Sequence, residues 1–213
     1  MATILRTWSY RYQWLYDRIA QLAALSVGGE ARLRRLPFTD LAFSQSWTVL
    51  DLCCGCGQAT AYLVQQFDAV TGLDASPRSL DRARHNVPQA KYVQGFAEEM
   101  PLGNKQFDLV HTSLALHEMD SDRLEQIVEE VYRVLKPGGY WVFVDLHPPT
   151  NPLFWPALAT FMVLFETETA WSFIQTDLAV LLTQKGFNLT QQRYYAGGSL
   201  QVIQAQKCLI FTE

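Results

Sequence analysis

Val49-Leu50-Asp51-Leu52-Cys53-Cys54-Gly55-Cys56-Gly57-Gln58-Ala59-Thr60 decides how the chain is read. A short apolar run ends in a carboxylate, turns through two glycines one residue apart and enters a helix-compatible segment. The run has the character of a buried parallel strand, and Gly55 and Gly57 let backbone approach a ligand with no Cβ in the way. In an open α/β sheet the crevice beyond the carboxyl end of the first strand is where nucleotides bind. A second run, Ala69-Val70-Thr71-Gly72-Leu73, ends in Asp74, an acid placed to accept bonds from ribose hydroxyls. Together they predict a nucleotide-type site.

Two ligand classes compete for that site. A dinucleotide fingerprint has G-x-G-x-x-G directly after the strand; counting from Gly55, the third glycine position holds Thr60. Asp51, just before the loop, would also repel a pyrophosphate. A cationic ligand reverses that objection. S-adenosylmethionine carries an ammonium, a sulfonium and a carboxylate, and Asp51 suits its positive end.

Asp51-Leu-Cys53-Cys-Gly55-Cys-Gly57 resembles the D-x-G-x-G-x-G loop of class I S-adenosylmethionine-dependent methyltransferases, and Leu73-Asp74-Ala75-Ser76-Pro77 resembles their second-strand motif. Gly95-Phe96-Ala97-Glu98-Glu99-Met100-Pro101-Leu102, Phe107-Asp108-Leu109-Val110 and Leu135-Lys136-Pro137-Gly138-Gly139 are similar to three further blocks in the family's order. The resemblance implies a Rossmann-like, doubly wound, mostly parallel seven-stranded sheet with an antiparallel C-terminal hairpin and a helical cap. It implies S-adenosylmethionine as cofactor and S-adenosylhomocysteine as product. Asp51, Cys53, Gly55, Gly57, Asp74, Ala75, Ala97, Glu98 and Ser113 are its expected contacts. Phe96 stands where family members often carry an acid, and its ring would stack on adenine while Glu98 and the Ala97 amide supply the polar contacts.

The 213 residues suit one α/β domain, divided here into an N-terminal helical cap (1–46), a cofactor-binding core (47–146), an apolar lid segment (147–175), and a last helix with its hairpin (176–213). Hydrophobic residues make up 49% and charged ones 18%, enough for a sizeable core. A net charge of −4 without a long basic run disfavours nucleic acid as a partner. Arg32, Arg34 and Arg35 read as a solvated helix face. Cys53, Cys54 and Cys56 crowd one tight loop and lack the second pair a tetrahedral metal site needs, so no metal is expected; reduced thiols in the cytoplasm are the preferred reading. No secretory signal pattern opens the sequence.

Outside the core, Trp8 to Ser26 has amphipathic helical spacing with Gly28-Gly29 as its stop, read either as a helix packed on the sheet edge or as a cover whose Trp8, Tyr10, Tyr12 and Tyr16 face a sulfonium. Helices are expected over Gln58 to Phe67, from Pro77 to Asn86, in a stretch beginning with a capping box at Asp122-Arg123-Leu124-Glu125, and over Thr176 to Lys185. Strands are expected over Lys91 to Gln94, Phe107 to Ser113, Tyr140 to Leu146, Phe187 to Tyr195 and Leu200 to Ile210. Pro152 to Phe165 is apolar on nearly every side yet too short to span a bilayer. It reads as a core helix, as a lid over a lipophilic substrate, or as a peripheral contact with a membrane surface.

Methyl transfer from a sulfonium is an in-line displacement, in which alignment supplies much of the acceleration. A phenol or quinol carbon as nucleophile also needs a base. His117, just past the fourth strand, is the candidate, with Glu118, His147, Tyr194 and Tyr195 behind it. The N-terminal segment, Asn151-Pro152-Leu153-Phe154-Trp155 and the tail from Gly186-Phe187 are similar to the ubiquinone/menaquinone C-methyltransferases, which implies a small lipophilic acceptor such as a prenylated quinol. Small-molecule O- or N-methylation is the alternative. Because Cys53 stands where the family has its first loop glycine, so is a non-catalytic S-adenosylmethionine-binding protein.

Overall fold

In the computed structural model, which describes residues 24–165 and 168–209, β1 (Thr48–Leu52) is an interior strand, third in order, of a seven-stranded sheet. It pairs in parallel with β2 (Ala69–Asp74) on one side and β4 (Phe107–Ser113) on the other. β3 (Lys91–Gln94) continues the sheet past β2, and β5 (Leu135–Leu146) continues it past β4, again in parallel. β7 (Leu200–Lys207) then lies antiparallel between β5 and the edge strand β6 (Phe187–Tyr195). The order β3-β2-β1-β4-β5-β7-β6 is the doubly wound, mostly parallel arrangement with an antiparallel C-terminal pair that the sequence predicts. Its direction reverses between β1 and β4, and the two strand tips part there to leave a crevice.

The sheet separates two apolar layers because side chains alternate along each strand. On one face Leu50, Leu52, Val110, Trp141, Phe143 and Ile203 meet Leu124, Ile127, Val128 and Val131 of α4 (Ser121–Val134). On the other, Val49, Val70, Leu109 and Val142 pack with Leu63 of α2 (Gln58–Leu63) and with Phe38, which follows α1 (Glu30–Arg35). α3 (Pro77–Asn86) starts on a Ser76 cap whose hydroxyl accepts the Ser79 amide at 3.2 Å, as the Ser-Pro pair predicts.

Several boundaries depart from the sequence reading for local reasons. α2 stops at Leu63 rather than Phe67, because Phe67 turns in to pack 4.9 Å from the Phe43 ring and is buried. α4 is capped by Asp120, which accepts the Arg123 amide at 2.9 Å, so the cap precedes the expected Asp122. Leu135 is already extended, consistent with Pro137 disfavouring helix at Lys136, and β5 begins there instead of at Tyr140. Asp177 caps α7 (Leu178–Gln184), shortening the helix expected from Thr176. The amphipathic segment from Trp8, with Tyr10, Tyr12 and Tyr16, lies outside the described residues up to 23.

The apolar segment folds as a short 3₁₀ turn, Pro152–Phe154, followed by α5 (Trp155–Phe165) and α6 (Glu168–Phe173). Leu158, Met162, Ala170 and Phe173 join the main core. Leu153 and Val163 remain 81% and 61% exposed, so the segment is half core and half apolar surface. Among the described residues no helix is long and apolar enough to cross a membrane.

Asp108 ties three strands together at the end of the sheet opposite the crevice. It accepts bonds from the Thr48 amide, the Thr48 hydroxyl and Lys136 Nζ, each at 2.8 Å. Partial burial pushes its carboxyl up, but the bonds from Lys136 and Thr48 outweigh that and hold it below the usual carboxylate range. Its contribution is therefore complete above that range and is lost as pH falls through the lowered folded value. Asp108→Asn is expected to cost about 1–2 kcal/mol in urea unfolding at pH 7. The gap to wild type should close as the titration is repeated towards pH 3; a gap independent of pH would reject the assignment.

Candidate cofactor site

The crevice opens into a cavity of about 1630 Å³. Its floor is the turn after β1. Cys54 donates its amide to the Leu73 carbonyl at 3.0 Å, and Gly57 begins α2 with φ +88°. A Cβ on Gly57 would stand 3.4 Å from both Ala83 and Val87, so the glycine also lets α3 close against the loop.

Asp74 secures the turn from the tip of β2. One carboxylate oxygen accepts the Gly55 amide at 2.9 Å and the other the Ser76 amide at 2.8 Å. Each oxygen keeps acceptor capacity for a second donor, and a vicinal diol fits that demand. Asp51 lies deeper, 1% exposed, with Thr60 Oγ1 donating to it at 2.6 Å and His111 Nδ1 2.9 Å away. The His111 ring stacks in turn on Phe38 at 5.8 Å. Asp51 therefore adds its charge from beneath the loop with both oxygens already bonded.

Cys53 and Leu114 line the cavity at the tips of β1 and β4, and both hold the left-handed conformation, φ +57° and +54°. Side-chain-bearing residues pay about 1–2 kcal/mol for that backbone, and such strain gathers at functional sites. Burial pushes the Cys53 thiol far up, and the nearby carboxylates of Asp74, Glu118, Asp51 and Glu98 push it further in the same direction. Four acids thus set a negative potential over one point of the cavity.

Of the residues predicted from sequence, Asp51, Cys53, Gly55, Asp74, Ala75, Ala97, Glu98 and Ser113 all line this cavity. Gly57 is not in its lining and instead caps α2. Phe96, 61% exposed, is also in the lining, where its ring is accessible for stacking. The structure does not bring His117 to the cavity: its ring is buried, with Nδ1 2.5 Å from Asp145 Oδ1 and its edge towards Phe173. Asp145 also accepts the Leu116 and Leu146 amides, at 2.8 and 2.7 Å, so this pair fixes the turn leaving β4. Glu118 and Met119 of that turn face the cavity instead.

Sequence reasoning missed the contribution of α1. Arg32 and Arg35 are exposed, as a solvated face requires. Arg34 turns inward to line the cavity with Glu30 and Leu33, its side chain 15% exposed. The i, i+4 pairing of Glu30 with Arg34 was the available signal.

A cavity at the topological switch point, with an acid at each of two neighbouring strand tips and a glycine turn between them, defines a methyltransferase-type nucleoside site. Comparison with known proteins agrees. Residues 49–139 match a family model described as a methyltransferase domain. The chain is 61% identical over 206 residues to an uncharacterised methyltransferase of Synechocystis sp., covering 97% of both chains. It is 29% identical to 2-phytyl-1,4-naphtoquinone methyltransferase of Thermosynechococcus vestitus, covering 91% of this chain and 94% of the relative. An S-adenosylmethionine-dependent methyltransferase of Mesorhizobium loti, solved by crystallography, superposes with a TM-score of 0.61 at 20% identity over 80% of this chain and 95% of that one, a likeness of fold. The chain belongs to the class I S-adenosylmethionine-dependent methyltransferases.

The residues present fit that cofactor. Asp74 offers acceptors for the ribose diol, Phe96 an exposed ring for adenine, and the acids around Cys53 a field for a cation. When bound, the cofactor supplies an electrophilic methyl group on a sulfonium. The protein's part is to hold it aligned and to exclude water. Asp74→Ala is expected to weaken S-adenosylhomocysteine binding about 10- to 100-fold in calorimetry, the range for hydrogen bonds to a charged group. Unchanged affinity would place the ribose elsewhere.

Proposed function

We propose that the enzyme methylates a small lipophilic acceptor of the prenylated-quinol type. The observation that carries this reading is the apolar segment 152–165, which anchors Leu158 and Met162 in the core yet leaves Leu153, Phe154, Trp155 and Val163 exposed. None of these residues is in the cavity lining. α6, which follows, packs on the Leu116–Glu118 turn whose Glu118 faces the cavity. An acceptor head in the cavity would leave its tail this apolar surface. Likeness along nearly the whole chain to a protein named 2-phytyl-1,4-naphtoquinone methyltransferase supports the same acceptor class, as does 32% identity over 66% of this chain to a demethylmenaquinone methyltransferase of Lactiplantibacillus plantarum.

On this reading Glu118 takes the proton that a quinol loses, since it faces the cavity and His117 does not. His117 and Asp145 act behind it as positioning residues. Burial of Asp145 with its backbone donors keeps the turn in one conformation.

The test supplies methyl-labelled S-adenosylmethionine with reduced prenylated naphthoquinones, short-chain analogues, catechols and amines. Label should enter a ring carbon of the quinol and depend on the prenyl tail. Transfer confined to oxygen or nitrogen of tail-less acceptors would overturn the proposal. Glu118→Gln should lower turnover by about 10²-fold or more while S-adenosylhomocysteine still binds. Full turnover in that variant would remove Glu118 from the chemistry.

A further inference from the structure

We infer that Arg34 is the cation that receives the carboxylate of the cofactor's methionine moiety, so that α1 is part of the cofactor site. The inference rests on the cofactor and not on the identity of the acceptor. Asp51, Asp74, Glu98 and Glu118 all act on Cys53, which suits an ammonium and a sulfonium and opposes a carboxylate. The cofactor carries all three groups, so its carboxylate needs a cation at the end of the cavity away from the ribose.

The arginines of the lining divide by position. Arg78 and Arg82 belong to α3, which leaves the tip of β2 directly after Asp74 and so stands on the ribose side. Arg123 is 59% exposed and lies 3.7 Å from Glu98 and 3.6 Å from Asp120. Arg34 alone of the four reaches over the tip of β4. Its Nη1 donates to Ser113 Oγ at 3.1 Å and its Nη2 to Glu30 at 3.3 Å. Leu52 and Thr112 are partners in the β1–β4 register, so Ser113 stands beside Cys53, across β1 from Asp74.

The third donor makes the case. Arg34 Nε is buried and has no hydrogen-bond partner among the described residues. A buried donor left unpaired destabilises the fold unless a ligand or a water completes it, and a carboxylate does so with charge assistance. Nε and the neighbouring Nη form the planar fork that a carboxylate engages through two parallel bonds. Ser113 and Glu30 hold the guanidinium through its two Nη groups and leave the Nε–H edge for a carboxylate.

Two ligands differing only in the carboxylate test this by calorimetry: S-adenosylhomocysteine and its decarboxylated analogue. Unaltered protein should bind the decarboxylated ligand about 10- to 100-fold more weakly; equal binding overturns the inference without any variant being made. In Arg34→Gln, S-adenosylhomocysteine should weaken by the same factor while the decarboxylated ligand holds within about twofold. Arg34→Lys, which keeps the charge and loses the fork, should fall between. Equal losses for both ligands in Arg34→Gln would mark Arg34 as structural support only and overturn the assignment. A wild-type protein that binds neither ligand would overturn it together with the cofactor on which it rests.

Discussion

One carboxylate holds the working end of this molecule together. Asp74 ends β2, and its two oxygens take the amides of Gly55 and Ser76, one from the loop after β1 and one from the start of α3. Two chain reversals at neighbouring strand tips are thereby fixed relative to each other. Charge-assisted bonds of this kind are roughly twice as strong as neutral ones, and here they organise backbone that has no ladder partner of its own. Around that clamp the left-handed Gly57, the close approach of α3 and the deeper Asp51 fall into place.

The sheet behind it explains why so much was readable from the chain. The apolar stretches Val49-Leu50 of β1 and Trp141-Val142-Phe143-Val144 of β5 are buried on both faces and run up to the acids Asp51 and Asp145. The Phe107–Ser113, Lys91–Gln94 and Pro77–Asn86 elements lie where residue type and spacing put them. Boundaries moved where a single side chain had a tertiary reason to leave the helix, as Phe67 did, or where an earlier acid took the cap, as Asp120 did.

The less legible residues act across long sequence separations. Arg34 meets Ser113, 79 positions away, and only its i, i+4 spacing from Glu30 sets the inward residue apart from Arg32 and Arg35. His117 looked catalytic because it follows a strand tip. Its burial depends on Asp145, at the end of another strand, and on Phe173, from a helix much later in the chain. The apolar segment gave no direction from composition alone, since a helix with hydrophobic residues on every side has no face to choose. Packing settled which half of it entered the core.

Cys53 carries a consequence for an enzyme of this kind. A thiol in the lining of a cavity that takes an activated methyl donor would be a hazard as its thiolate, which would compete with the intended acceptor and be alkylated irreversibly. Burial and the surrounding acids raise the thiol far above its ordinary range and keep the proton on sulfur. The same negative field that draws in a cationic donor therefore protects the wall of the site from being alkylated by it.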